Sequence, residues 1–418
     1  METKVVPLGQ KVKIRTRTRE WEGHILESHD SEIILLKLKS GYNVGIREGE
    51  ILNVEEIKEV KPKIEEKEEQ SNEKLPNVAV IITGGTISSR LDPKTGGVIS
   101  TDKKAILNIA PELKKICNPV VVSPFMKWSE DMSYRDWEAM AEVCEKYLND
   151  HKISGIIITH RTDFLHYTAI ALSFFIQNLN KPIALTYSQR SVDRASTDAS
   201  LNLICAAKYA ISDIAEVVLI GHKNTNDEVC LAMPATKVRK MHTSRRDAFR
   251  IINSEPIAEI TREEIIPIKD FNVRLMNKAK VDTKFCEKIA LVKIYPGQNP
   301  DILEYYEKEG YRGIVLEITG IGQVPAKNSV ANWLPKVKKA VDNGMTICAT
   351  AQTIYGRLNP NVYSAGRDLQ KTGIIFLEDM LSETAFVKLG FVLGHKSWNA
   401  KEKMLENISN EYSPTIKE

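Results

Sequence analysis

The sequence predicts an α/β protein with mostly parallel sheets in two unequal units, preceded by a small all-β barrel of the SH3-like type. Three observations carry this expectation. Short, continuous apolar runs recur after residue 76, most of them separated by amphipathic stretches, which is the pattern of buried parallel strands joined by helices. Before residue 60 the apolar period is two. Between these regions lies KPKIEEKEEQSNEKL (61–75), with nine of fifteen residues charged and no aromatic. Such a segment buries too little apolar surface to offset its ordering entropy, so it reads as a linker or a solvated helix.

The chain of 418 residues is too long for one compact core. The expected division is a β-barrel over 1–60, the linker over 61–75, a larger α/β domain over 76–280 and a smaller one over 281–418. Lys and Arg number 58 against 55 Asp and Glu, and 42% of residues are apolar. This near-balance does not call for a polyanionic partner. No apolar run approaches the roughly 18 residues that span a bilayer, and residues 1–18 lack the apolar core of a signal peptide. The six cysteines are scattered singly among apolar neighbours, with no CxxC pair. Membrane, secreted, disulfide-stapled and zinc-finger classes are therefore disfavoured, and a cytoplasmic location is expected.

In the first segment, KVKIRTRT (11–18) alternates apolar and polar positions, and IILLKLKSGYNVGI (33–46) gives two further strands broken at Ser40-Gly41. Arg15, Arg17 and Arg19, at alternate positions, would share one face, as a nucleic-acid surface or as a solvated edge. Residues 1–60 hold 10 basic and 11 acidic side chains, which favours the solvated edge. Beyond the linker come VAVIIT (78–83), PVVVS (119–123), GIIIT (155–159), PIALT (182–186) and VVLI (217–220). The stretch 135–149 sets Trp137, Met140, Ala141, Cys144 and Leu148 on one helical face, with Ser133 and Asp136 at capping-box spacing before it. A second set follows in IALVKIY (289–295), GIVLEI (313–318) and MTICAT (345–350), with the boundary near 278–284.

Open parallel sheets bind ligands beyond the carboxyl ends of their strands, and four polar loops fall there. Thr83-Gly84-Gly85-Thr86 can turn sharply and expose a hydroxyl and amides, or be a plain strand-to-helix turn. Thr162 beside Asp163 reads as a nucleophile with its orienting group or as a helix N-cap. The basic tract from Lys237 to Asp247 holds Lys240, which reads as a proton acceptor, as part of a phosphate contact, or as one charge in a salt-bridged loop. Ser129 and Glu130 could hold an ammonium and a carboxylate. His160 and His166, six apart, share no helical face and read as packed or hydrogen-bonded side chains. No metal-ligand cluster and no strand-linked GxxxxGK[ST] or GxGxxG occurs.

ITGGTISSR (82–90), SEDM (129–132), THRTDFLHYTA (159–169), SQRSVDRASTDASLN (188–202), VRKMHTSRRDAF (238–249) and IYGRLNPNVYSAGRDL (354–369) stand in this order. The set resembles the bacterial-type L-asparaginases, and above all their archaeal relatives, the GatD family of glutamyl-tRNA(Gln) amidotransferase subunits. The N-terminal barrel-like extension, with KSGYNVGI, points to the amidotransferase subunit rather than a free asparaginase.

The resemblance implies a two-domain asparaginase-like fold and a catalytic group of Thr86, Thr162, Asp163 and Lys240. It implies that Ser129 and Glu130 hold the α-amino and α-carboxyl groups of an amino-acid amide, and that amides near Gly85 serve as oxyanion donors. The activity implied is hydrolysis of the side-chain amide of glutamine or asparagine. Ammonia would pass to a partner, the GatE amidotransferase subunit, that uses ATP and Mg²⁺ to convert Glu-tRNA(Gln) to Gln-tRNA(Gln), so this chain itself needs no cofactor. Two copies of the chain would form a homodimer in a two-plus-two heterotetramer. The sequence departs from the family pattern at several places, among them Tyr187-Ser188-Gln189-Arg190 and the expected lid tyrosine near residues 91–95, and beside the expected nucleophile His160-Arg161-Thr162-Asp163-Phe164 stands where the family reads HGTDT. A left-handed backbone at Arg161 would cost roughly 1 kcal/mol or more, and Phe164 could crowd the pocket. Alternatives are a catalytically impaired structural subunit and a free-standing asparaginase.

Overall fold

The computed structural model describes residues 8–26, 28, 30, 32–40, 42–57, 72–84, 90–91, 98–99, 107, 109–190, 192, 194 and 196–414. The linker expected over 61–75 lies mostly outside them.

Strands Lys11–Thr16, Glu20–Leu26, Ile33–Leu38, Asn43–Arg47 and Ile51–Glu56 form an antiparallel sheet in the spatial order fourth, third, second, first, fifth. The fourth and fifth strands sit at opposite edges, yet only the 3₁₀ turn Glu48–Glu50 joins them. Flat, those edges would stand about 19 Å apart at four strand spacings. The connection reaches only about 14 Å, so the sheet curls on itself. Val12, Ile14, Ile25, Leu36 and Ile46 fill the inside. A small all-β domain was expected here; two of its strands, Glu20–Leu26 and Ile51–Glu56, were not. Their alternation is masked by Glu20, Glu22 and Glu55 on the wet face, by Glu56 at the strand end opposite Val12, and by Gly23, where a Cβ would stand 2.3 Å from the Lys37 carbonyl oxygen.

The first strand also ends earlier than expected. It stops at Thr16, whose hydroxyl donates to the Arg19 carbonyl at 2.8 Å and closes a turn. Arg17 and Arg19 therefore leave the strand, and Arg19 stacks on Trp21 at 4.3 Å. The three arginines form no common face and are exposed to solvent.

The body is an eight-stranded sheet. Its spatial order is Ile265–Pro267, Ala258–Ile260, Cys230–Pro234, Val217–His222, Ile183–Thr186, Ile153–Thr159, Asn77–Ile82 and Asn118–Val122. The last five of these are the expected apolar runs, and they lie parallel. The four inner ones are buried on both faces, which is why they read as continuous rather than alternating, whereas Asn118–Val122 lies at the edge with Val120 exposed. The other three strands extend the sheet antiparallel. A second sheet runs Ile289–Lys293, Gly313–Ile318, Thr346–Ala351 and Ile375–Phe376, all parallel.

Helix Tyr134–Leu148 begins at the expected box, with the Ser133 amide donating to Asp136 Oδ2 at 2.8 Å. Helix Leu165–Phe175 packs against Ser382–Gly394, which follows the second sheet. Phe174 and Phe175 meet Phe391 at ring separations of 6.1 and 5.8 Å. The close fit continues at Gly390, where a Cβ would lie 2.2 Å from the Phe285 ring. All six cysteines are free thiols, five of them buried. No helix among the described residues is long and apolar enough to cross a membrane.

Candidate active site

In the larger sheet, Thr159 ends its strand with Ile82 on one side and Thr186 on the other. The chain leaves that strand through His160-Arg161-Thr162-Asp163 and enters helix Leu165–Phe175 at Phe164, which provides no side-chain cap. Thr162 and Asp163 are therefore not helix caps. Both side chains go instead to Lys240, whose Nζ lies 2.9 Å from Thr162 Oγ1 and 2.8 Å from Asp163 Oδ1. The lysine is largely covered, with 13% of its side chain exposed, whereas Asp163 is 59% exposed. Three of the four expected catalytic residues thus meet at one strand end, although 78 residues separate Thr162 from Lys240. Thr86 and Gly85 lie outside the described residues.

Lys240 is placed by a short hairpin, Val238–Lys240 against Phe249–Ile251, with Lys240 opposite Phe249. Phe249 is buried beneath Tyr187 at a ring distance of 4.7 Å. The hairpin is also fastened to the second domain. Lys237 Nζ meets Asp379 Oδ2 at 2.8 Å with both side chains buried, and Arg239 Nε meets Glu383 Oε1 at 3.0 Å. The Thr384 hydroxyl donates to the Thr236 carbonyl at 2.7 Å. Burial lowers the Lys237 pKa and outweighs the attraction of Asp379. The remaining basic residues of the tract are paired inside the chain. Arg245 and Arg250 both hold the buried Asp247, and Arg246 Nη2 donates to the Thr225 carbonyl at 2.7 Å.

The loop Ser129–Asp131 is a single 3₁₀ turn. Ser129 is fully buried, and its hydroxyl donates to Glu130 Oε2 at 3.3 Å. Lys127 fixes the loop. Its backbone amide donates to the Thr83 carbonyl at 3.1 Å, and its Nζ reaches Asp136 Oδ1 at 2.6 Å. At Gly84 the backbone is left-handed at φ 131°, and a Cβ would fall 2.6 Å from the Lys127 carbonyl oxygen. Glycine is needed there for the turn and for the close approach. Burial pushes the Asp136 carboxyl up, but Lys127 and the Ser133 amide outweigh it and hold it below the usual range. Sequence reasoning found Asp136 as a cap and missed Lys127, because nothing in the spacing announces a pair across the start of a helix.

His160 is buried and neutral. Its Nδ1 lies 2.6 Å from the Arg161 carbonyl and its Nε2 3.0 Å from Thr168 Oγ1, and burial pushes its pKa down to about 4. His166, behind the same turn, is pushed down to about 3, first by burial and then by Arg239 and Lys240. Arg161 is not among the residues with positive φ, so the left-handed strain considered for it does not arise. Its guanidinium lies over the Trp128 ring, with Cζ 3.3 Å from the centroid. Phe164 packs edge-on against Tyr167 at 5.5 Å. Among the described residues, no three His, Cys, Asp or Glu side chains gather in a group that could hold a metal ion.

The arrangement offers a hydroxyl, an amine and a carboxylate in one hydrogen-bonded group beside a polar loop. That is the set needed to activate a weak oxygen nucleophile. Family profiles match three consecutive regions: the GatD N-terminal domain over residues 6–57, the N-terminal asparaginase domain over 77–271, and the glutaminase/asparaginase C-terminal domain over 288–405. The chain is 44% identical to the D subunit of the glutamyl-tRNA(Gln) amidotransferase of Pyrococcus furiosus, over 95% of this chain and 92% of that one. It is 43% identical to the protein of the same name from Thermococcus kodakarensis, over 99% and 96%. Among solved structures, the thermostable L-asparaginase from Thermococcus kodakarensis superposes with a TM-score of 0.72 at 26% identity, covering 81% of this chain and all of the other. Likeness of this extent, running through the N-terminal β-domain as well as both domains of the body, places the chain in the GatD family of glutamyl-tRNA(Gln) amidotransferase subunits, on an asparaginase-like fold.

Proposed function

We propose that this chain is the amide-hydrolysing subunit of a tRNA-dependent amidotransferase. It would release ammonia from the side chain of glutamine, with asparagine as the close alternative, through a threonine nucleophile. The observation that carries this reading is the contact of Lys240 Nζ with both Thr162 Oγ1 and Asp163 Oδ1. A threonine hydroxyl attacks poorly at neutral pH unless a base takes its proton. Lysine in its neutral form can take it, and as an ammonium it is then stabilised by Asp163. Either Thr162 or Thr86 delivers the oxygen to the carboxamide carbon. The C–N bond breaks with a proton returned to the leaving nitrogen, and water then cleaves the acyl-threonine to give glutamate. Ser129 and Glu130 bind the amino-acid end, and amides near Gly85 stabilise the oxyanion.

Ammonia then serves a partner of the GatE kind, which binds tRNA(Gln) and holds the ATP and Mg²⁺ for activating the glutamyl ester. A homodimer of this chain within a two-plus-two heterotetramer in the cytoplasm completes the reading. The test is ammonia release from L-glutamine and L-asparagine by the full chain, alone and with its partner and glutamyl-tRNA. Lys240→Ala and Thr162→Ala are each expected to lower the rate by about 10²–10⁴-fold, the usual contribution of a positioned proton-transfer group. Normal turnover in either variant would overturn the mechanism.

A further inference from the structure

We propose that Arg161 is a specificity-determining residue that recognises a free carboxylate on the amide substrate. The inference rests on the hydrolase reading above and deepens it. The Arg161–Trp128 stack joins the two halves of the site, because Trp128 immediately precedes Ser129-Glu130 and Arg161 immediately precedes Thr162-Asp163. Both sides of the stack are held in place. On one side, Lys127 ties the loop to Thr83 and Asp136. On the other, the ring of His160 bonds the Arg161 carbonyl.

Stacking occupies the face of a guanidinium and leaves its edge donors free. Arg161 Nε is buried and has no hydrogen-bond partner among the described residues. Arg161 makes no ion pair with a described carboxylate, although Glu130 and Asp163 both lie near enough to act on its charge. A fixed planar cation with unused donors, flanked by two carboxylates, is complementary to a zwitterion. A ligand carboxylate faces the arginine edge, and its ammonium faces Glu130 and Asp163. A residue jammed across the pocket would instead have closed its own hydrogen bonds onto neighbours.

The test is initial-rate ammonia release by the full chain from L-glutamine and from glutamine α-methyl ester, whose carboxylate is capped. Wild type, Arg161→Gly and Arg161→Lys are compared. Arg161→Gly is expected to raise KM for glutamine about tenfold or more, the loss of one charge-assisted contact, with kcat changed far less. Arg161→Lys recovers part of the affinity, and discrimination against the ester shrinks in Arg161→Gly. An unchanged or lower KM in Arg161→Gly overturns the inference and makes the arginine an obstruction. If wild type hydrolyses no amino-acid amide, the hydrolase reading fails separately. Calorimetric titration with L-glutamate then decides on Arg161 alone, since weaker binding in Arg161→Gly supports its role and equal or absent binding in all three proteins ends it.

Discussion

Lys127 and Asp136 meet at 2.6 Å across the start of a helix, so the residue that caps Tyr134–Leu148 also anchors the loop carrying Ser129 and Glu130. Asp136→Asn keeps the shape and removes the charge. It is expected to lower stability by about 1 kcal/mol, the scale of a capping carboxylate at a helix start. It should also raise KM for the amide several-fold with a smaller change in kcat. Thermal unfolding and steady-state kinetics check the two effects, and an unaltered KM would show that the loop holds its position without this pair.

The buried Lys237–Asp379 pair behaves differently from the half-exposed Lys240–Asp163 pair. Lys237→Met leaves the buried Asp379 carboxylate with the Ser413 amide and with Arg357 at 3.8 Å, and is expected to cost up to about 3 kcal/mol, the low end for a broken buried pair. The double variant Lys237→Met/Asp379→Leu should recover most of that, because removing both charges also removes their desolvation penalty. Urea unfolding measures both proteins. A double variant no more stable than the single one would show that packing, not charge, dominates there.

Acid stability should carry the signature of two buried histidines. His160 and His166 titrate at about 4 and about 3 in the folded chain, because burial disfavours their charged forms. In the unfolded chain both take up protons near pH 6.5. Their depressed folded values contribute stability that is complete above pH 6.5 and is lost as pH falls through the window down to about 4, and for His166 down to about 3. Between pH 6 and pH 4.5 the slope approaches, from below, the limit of about 2.7 kcal/mol per pH unit for two protons. His166→Phe should halve it, as read from unfolding free energies at several pH values. An unchanged slope would mean that His166 is not the buried neutral group described.

The parallel strands were legible because burial on both faces writes a continuous apolar run into the sequence, as in VAVIIT and GIIIT. The antiparallel extension, Cys230–Pro234, Ala258–Ile260 and Ile265–Pro267, was not. Its strands are three to five residues long, too short to display a period. In the site, Thr162, Asp163 and Lys240 stood out by motif, but only the fold shows that the lysine chooses both partners at once. The bond between Lys237 and Asp379 spans 142 residues, and no local spacing encodes it. The conformation of Arg161 was equally hidden, since its identity says nothing of whether its backbone is left-handed or which ring it lies over.

The helix that follows the Thr162-Asp163 turn has consequences of its own. Its first residues start at Phe164 with no side chain turned back to their amides, because Thr162 and Asp163 have gone to Lys240. A missing cap costs a helix about 1 kcal/mol, and the uncapped end carries about half a positive elementary charge. Chemistry and folding are thus linked at this point. Any negative charge that arrives beside the turn, whether a bound carboxylate or an alkoxide formed in passing, tightens the helix, and by reciprocity the helix favours that charge. The local stability given up where Thr162 and Asp163 turn to Lys240 is returned when a negative charge binds beside the turn, so the first turn of Leu165–Phe175 should become better protected from hydrogen exchange as an anionic ligand binds.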